Sequence, residues 1–207
     1  MFWKRKIYHG HLTRRACPLM DSKASSRSLH SSVRNRFSDT HSSFTSNNYL
    51  NSSAPPYTYY VRKHNPLIIY DSVATVPARA ALHRNFNDFA ADVNASAIPQ
   101  WVFVTPNLVN DGHDTDINFI SQWLQYWLVP LLLDTRFNDN RTLILLTFDE
   151  TETYTVNNQV WSLLIGGAVP ANMRGTTDST YYTHYSSMST VQSNWGLGSL
   201  GRGDTNK

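Results

Sequence analysis

The sequence predicts an α/β protein built mainly on a parallel sheet with flanking helices. Three observations point there. From Tyr57 onward, short apolar runs rich in β-branched and aromatic residues alternate with helical patterns, the order expected of βαβ units. One run, Thr142-Leu-Ile-Leu-Leu-Thr-Phe148, is apolar apart from its threonines, as in strands covered on both faces. The 207 residues are 41% hydrophobic and 13% aromatic, enough apolar mass for one core and too little for two.

Residues 1–49 are rich in Ser, Arg, His and Asn and show no sustained apolar period, so they are expected to form a largely disordered leader ahead of a domain spanning 50–207. The charge is divided the same way. The leader holds nine lysines and arginines against two aspartates, a net +7, which leaves −4 for the remainder of a chain whose total is +3. An acidic main part argues against a groove that follows a nucleic-acid backbone. Met1 to Met20 is interrupted too often by basic residues to supply a secretory h-region, and its Arg- and Ser-rich, acid-poor character mimics a mitochondrial transit peptide or an arbitrary start ahead of a truncated frame. No apolar run is long enough to span a bilayer. Cys17 is the single cysteine, so an internal disulfide is excluded and any metal site must draw on Asp, Glu, Asn and His.

Within the domain, Leu67 to Tyr70 reads as a short strand. Asn85 to Asn94 reads as a helix with Phe86, Phe89, Ala90 and Val93 on one face, stopped before Pro99. Trp101-Val-Phe-Val-Thr105 is a compact strand. Asp114 or Asp116 caps a following helix whose apolar face is Phe119, Ile120, Trp123, Leu124 and Trp127. Val160 to Ile165 is expected beside the Thr142–Phe148 strand, and a last helix runs through Met188, Val191 and Trp195.

In open parallel sheets, functional groups gather beyond the carboxyl ends of the strands, which directs attention to the residues after Thr105 and after Phe148. The first place holds Asn110-Asp-Gly-His-Asp114, with Asp111, His113 and Asp114 in one glycine-containing loop; it suits a divalent metal or phosphate-handling acid and base, or equally an Asx turn with an exposed histidine. The second holds Asp149-Glu150, adjacent carboxylates that read either as a metal-ligand pair or as a solvated acidic loop. His184 falls near the start of the last helix, as an anion contact or a packing residue among Tyr181, Tyr182 and Tyr185. Arg62-Lys63-His64 is a basic cluster ahead of Pro66, either neutralising a phosphoryl group or simply an exposed turn. Sequons occur at Asn51, Asn94 and Asn140.

Taken together, YVRKHNPLIIYDSV, PQWVFVTPNLVNDGHDT, TLILLTFDETETY and GTTDSTYYTHYSSMSTVQSNWGLGSLGRGD resemble the fungal acid phosphatases of the phosphoesterase family, which also contains bacterial phospholipases C. The resemblance implies an alkaline phosphatase-like fold and hydrolysis of small phosphate monoesters at acid pH by secreted or wall-associated enzymes. It implies catalytic roles for His113, Asp149, Glu150 and His184, with Asp149 and Glu150 as ligands of a divalent metal ion of unspecified identity. Substrate-side roles fall to Lys63, His64, Asp111 and Asp114. The family's early Glu-Asn metal motif and its Ser or Thr nucleophile have no counterpart, so no nucleophile is assigned. The expectation is a C-terminal portion of such a domain, nearly inactive alone, poorly soluble, and with part of its sheet uncovered. A phospholipase C-like phosphodiesterase and a noncatalytic phosphate- or metal-binding remnant are the alternatives. A mitochondrial or nucleic-acid-associated protein with a functional basic leader is the third.

Overall fold

Residues 5–10, 49–51 and 57–205 are described by the computed structural model, and the chain divides into two units, Met1–Asn140 and Arg141–Lys207. In the first unit the strands are β1 (Arg5–Gly10), β2 (Tyr49–Asn51), β3 (Tyr57–Tyr60), β4 (His83–Asn85) and β5 (Trp101–Pro106). The helices are α1 (Asp71–Ala74), α2 (Pro77–Ala80), α3 (Phe86–Asn94) and α4 (Ile117–Leu133). β1 lies between β4 and β5 and runs parallel to both, with Ile7 opposite His83 on one side and Phe103 on the other. β2 and β3 form a separate antiparallel pair.

The core of this unit follows from two amphipathic helices. Asn85 caps α3, its side-chain oxygen accepting from the Asp88 N–H at 2.9 Å, and Phe86, Phe89, Ala90 and Val93 are buried. Asp116 caps α4 through the Phe119 N–H at 2.9 Å. α4 buries Ile120, Trp123, Trp127, Leu128 and Leu131. The helices meet through aromatic rings: Phe86 stands edge-on to Trp127 at 5.2 Å and to Trp123 at 6.2 Å, and within α4 Trp123 stacks on Trp127 at 5.0 Å. Such pairs contribute about 0.5–1.5 kcal/mol each beyond the area they bury. A smaller cluster forms from Tyr60 and Ile68 with Val73 and Ala74 packed against it, and burial pushes the Tyr60 phenol up to about 12.

The second unit contains β6 (Ile144–Thr147), β7 (Ser162–Ile165) and α5 (His184–Trp195). α5 ends at Gly196, whose φ of 61° is the left-handed conformation in which glycine terminates helices.

Several expectations are corrected. Arg5–Gly10, assigned to a disordered leader, is a strand, because its order comes from pairing with strands far along the chain rather than from any local period; most of the other residues of 1–49 lie outside the described residues. Leu67 to Tyr70 is a turn, not a strand. Pro66 precedes it, the Asn65 side chain accepts from the Ile68 N–H at 3.3 Å, and Ile69 and Tyr70 face solvent. Of the expected apolar face of α4, Ile120, Trp123 and Trp127 are buried, but Phe119 is exposed, and Leu128 and Leu131 are covered as well. β7 is the neighbour of β6 but antiparallel to it, with Leu145 opposite Leu164. Nor is β6 covered on both faces, since Leu145 and Leu164 are about half exposed.

Candidate active site

The first cluster grows from the loop between β5 and α4. Asn107 begins it, its carbonyl accepting from the Asn110 and Asp111 N–H groups and its side-chain oxygen from the Asn110 N–H at 2.9 Å. Further along, the Asp114 N–H donates to the Leu108 carbonyl at 2.8 Å and the Thr115 hydroxyl to the Val109 carbonyl at 2.6 Å. Gly112 makes the tight bend, with φ of 98° and its Cα against Ile120. The loop is thereby knitted into one shape, and two side chains leave it together. Asp111 accepts the His113 N–H at 2.9 Å, and the His113 Nδ1–H donates to Asp114 Oδ1 at 2.8 Å. A carboxylate can only accept, so this bond fixes the hydrogen on Nδ1 and turns Nε2 away from Asp114.

A short 3-10 turn, Arg62–His64, delivers the second imidazole. His64 Nδ1 lies 3.7 Å from Asp111 Oδ2, and its ring centroid is 5.7 Å from that of His113. The turn is held from below: the Arg62 guanidinium donates to the Ile68 carbonyl at 3.0 Å, and the fully buried Asn65 donates to the Tyr60 hydroxyl at 3.2 Å. Of the basic string, then, His64 joins Asp111 and His113, Arg62 supports the backbone, and Lys63 is exposed.

In the second unit, Asp149 and Glu150 follow β6 after the single residue Phe148, and both are exposed. His184 is the first residue of α5, and its Nε2 lies 2.7 Å from the Asp149 carbonyl oxygen. Hard carboxylate oxygens are the donor type a divalent cation such as magnesium or calcium selects. Among the described residues, however, no group of three or more His, Cys, Asp and Glu is close enough together to hold a metal ion. Asp149 and Glu150 fit such an ion in chemistry but do not complete its coordination.

Sequence reasoning passed over the buried polar residues that shape these clusters. Asn65, Asn107, Asn110 and Asp204 are each at most 2% exposed. The signal for the asparagines was present in their positions at turn starts, where an Asx side chain replaces a backbone acceptor. Asp204, in a glycine-rich end, gathers the Gln192 amide, the Ser199 hydroxyl and the Leu200 and Arg202 N–H groups. These donors, Gln192 foremost, hold its carboxyl far below the usual carboxylate range.

Comparison with known proteins places these strings. The profile of the phosphoesterase family matches residues 30–198. An acid phosphatase of Aspergillus fumigatus is 52% identical over 145 residues, which is 70% of this chain and 32% of that protein. A phosphate-repressible acid phosphatase of Penicillium chrysogenum is 48% identical over 145 residues, 70% of this chain and 35% of its own length. A phosphatidylinositol-3-phosphatase of Mycobacterium tuberculosis is 30% identical over 142 residues, 69% of this chain and 44% of that protein. The chain thus spans about a third of the length of the fungal relatives it matches. No solved structure matches significantly. With the family profile covering residues 30–198, and with relatives near half identity over 145 residues, this chain belongs to the phosphoesterase family.

Proposed function

We propose that the chain carries phosphate-handling residues of an acid phosphatase-like hydrolase acting on small phosphate monoesters, within a mainly parallel, alkaline phosphatase-like sheet. The observation that supports this best is the pair of carboxylate-backed imidazoles on the NDGHDT loop and the RKH turn. His113 is held by Asp114 through Nδ1, so its Nε2 is the atom offered outward. His64 stands beside it with Asp111 behind. When protonated, each ring offers a hydrogen to a phosphoryl oxygen. As an attacking group bonds to phosphorus and the ester P–O bond breaks, the His113 Nε2 proton passes to the departing oxygen, which leaves as an alcohol. Asp114 keeps the His113 ring oriented, and Asp111, 3.7 Å from His64 Nδ1, pairs with that ring when it is charged. Lys63, being exposed, adds attraction for a dianion rather than a fixed contact.

Asp149 and Glu150 are proposed as oxygen donors to a divalent ion, which when bound would supply positive charge for a phosphate ester. The attacking group is not assigned. The names of the relatives, acid phosphatase and phosphatidylinositol-3-phosphatase, both describe phosphatases, which favours a monoester over a phosphodiester. Export is part of the same reading, and the sequon asparagines Asn94 and Asn140 are exposed.

The test is release of p-nitrophenol from its phosphate ester at mildly acidic pH by the 207-residue chain, with and without divalent metal, beside Asp149→Asn. Turnover abolished by the substitution supports the reading and places a nucleophile among these residues. Turnover equal in both proteins contradicts the role of Asp149. If both are silent, inorganic phosphate binding decides, since binding lost in His113→Ala supports the cluster and absence of binding refutes it.

A further inference from the structure

The Asp149–Glu150 turn lies just past the end of the β6–β7 ladder, whose last pair is Thr147 with Ser162. Two contacts reach beyond that pair. The Thr151 N–H donates to the Asn158 side-chain oxygen at 2.8 Å, and His184 Nε2 meets the Asp149 carbonyl at 2.7 Å. A carbonyl oxygen only accepts, so Nε2 carries the hydrogen and donates it. Nε2 is thereby committed to a backbone atom and is not offered to a phosphoryl oxygen. His113 has the opposite arrangement, with Nδ1 committed and Nε2 outward.

We propose that His184 is a positioning residue, which holds the Asp149–Glu150 turn in place through the Asp149 carbonyl and does not contact the phosphoryl group. The inference rests on the reading in which those two carboxylates serve the reaction. α5 suits the task because both of its ends are tied down. At its start the Thr183 N–H donates to the Ser186 hydroxyl at 3.0 Å, fixing the turn that carries His184. In its second half Gln192 donates to the buried Asp204 at 2.7 Å. The imidazole therefore projects from a fixed origin onto a backbone atom, which aims the carboxylates without using a side-chain oxygen that substrate or cation would need.

The experiment uses the 207-residue chain labelled with nitrogen-15. The ring nitrogens of His184 report its tautomer, and hydrogen exchange is followed at Thr151, with Leu146 in the ladder as the control. The expected result is an Nε2–H tautomer for neutral His184. In His184→Ala, exchange at Thr151 should rise roughly three- to tenfold, the factor that loss of one hydrogen bond implies, while Leu146 is unchanged. In His184→Gln the side-chain amide can reach the same carbonyl, and exchange should stay near that of the parent.

An Nδ1–H tautomer, or Thr151 exchange unmoved in the alanine variant, overturns the proposal. Addition of inorganic phosphate separates this claim from the one it rests on. Shifts confined to His64 and His113 agree with a positioning role, whereas direct perturbation of the His184 ring nitrogens refutes it. If phosphate moves no histidine, the phosphate-handling reading fails, and the tautomer and exchange data still decide whether His184 holds the turn. Should the alanine variant fail to fold, the parent tautomer and the glutamine variant give the answer.

Discussion

Replacing Gly112 by alanine tests whether the histidine-bearing loop is held as tightly as its hydrogen bonds indicate. Two costs are legible in the structure. The residue has φ of 98°, a conformation L side chains rarely adopt, which costs about 1–2 kcal/mol. The new Cβ would also sit 2.5 Å from Ile120 Cδ1 and 3.3 Å from Cγ1, so the Ile120 side chain must leave its rotamer at a further cost of about 0.5–1.5 kcal/mol. Gly112→Ala should therefore destabilise the protein by about 2–3 kcal/mol. Ile120 is buried at 7% exposure, so Ile120→Val alone should cost about 1 kcal/mol. Valine lacks Cδ1, however, and in the double variant the clash is largely removed. The pair should be less destabilised than the sum of the singles by about 1 kcal/mol, a coupling that urea unfolding of the four proteins can resolve. Strict additivity would refute the idea that Ile120 clamps the loop, and a neutral Gly112→Ala would refute the loop geometry itself.

Other consequences can be checked with single variants. His83 is buried and its pKa is lowered by that burial, with its Nδ1–H donating to the Ala80 carbonyl. Its stabilising contribution is present above the ordinary histidine pKa of about 6.5 and declines as pH falls below it. Thermal melts between pH 7 and 5 should show that loss, and His83→Gln should flatten it. Asp204 has the same sign over a more acidic window: its contribution is intact above the unfolded-state pKa of about 3.9 and is lost only as pH falls further toward its depressed folded value. The parent should therefore keep its melting temperature down to about pH 4 and lose stability below it, whereas Asp204→Asn should start lower and depend less on pH. His113→Ala should reduce turnover on the order of 10²- to 10⁴-fold where chemistry limits the rate. The loss should be larger for an alkyl phosphate than for p-nitrophenyl phosphate, because the poorer leaving group needs the proton more; equal losses would argue against proton donation.

What the sequence disclosed and what it hid divide along physical lines. α3 was legible because its signals are local: a capping asparagine, an acidic residue three positions on, and four apolar residues at helical spacing. The N-terminal positions of α4 and α5 were legible for the same reason. β1 was not, since Arg5–Gly10 owes its conformation to β4 and β5, and short-range periodicity does not register partners distant in sequence. The antiparallel sense of β6 and β7 was hidden likewise, because two apolar runs specify that they are strands but not which way one returns beside the other. At the candidate site, the residue types and strings were legible, while the selection among them was tertiary. Only the Arg62–His64 turn brings His64 to Asp111 and His113, and it leaves Lys63 in solvent. The different hydrogen-bonding states of His113 and His184 could not be read from their equal chemistry.

The central claim is that the His64–Asp111–His113–Asp114 cluster handles the phosphoryl group. Its most direct test is titration of the nitrogen-15-labelled 207-residue chain with inorganic phosphate at mildly acidic pH, observing the imidazole nitrogens. The account predicts saturable shifts at His113 Nε2 and on the His64 ring, abolished at His64 when His113 is replaced by alanine and weakened when Asp114 is replaced by asparagine. Saturable shifts at other histidines with His64 and His113 unmoved, or no saturable shift at any concentration in the millimolar range, would contradict it.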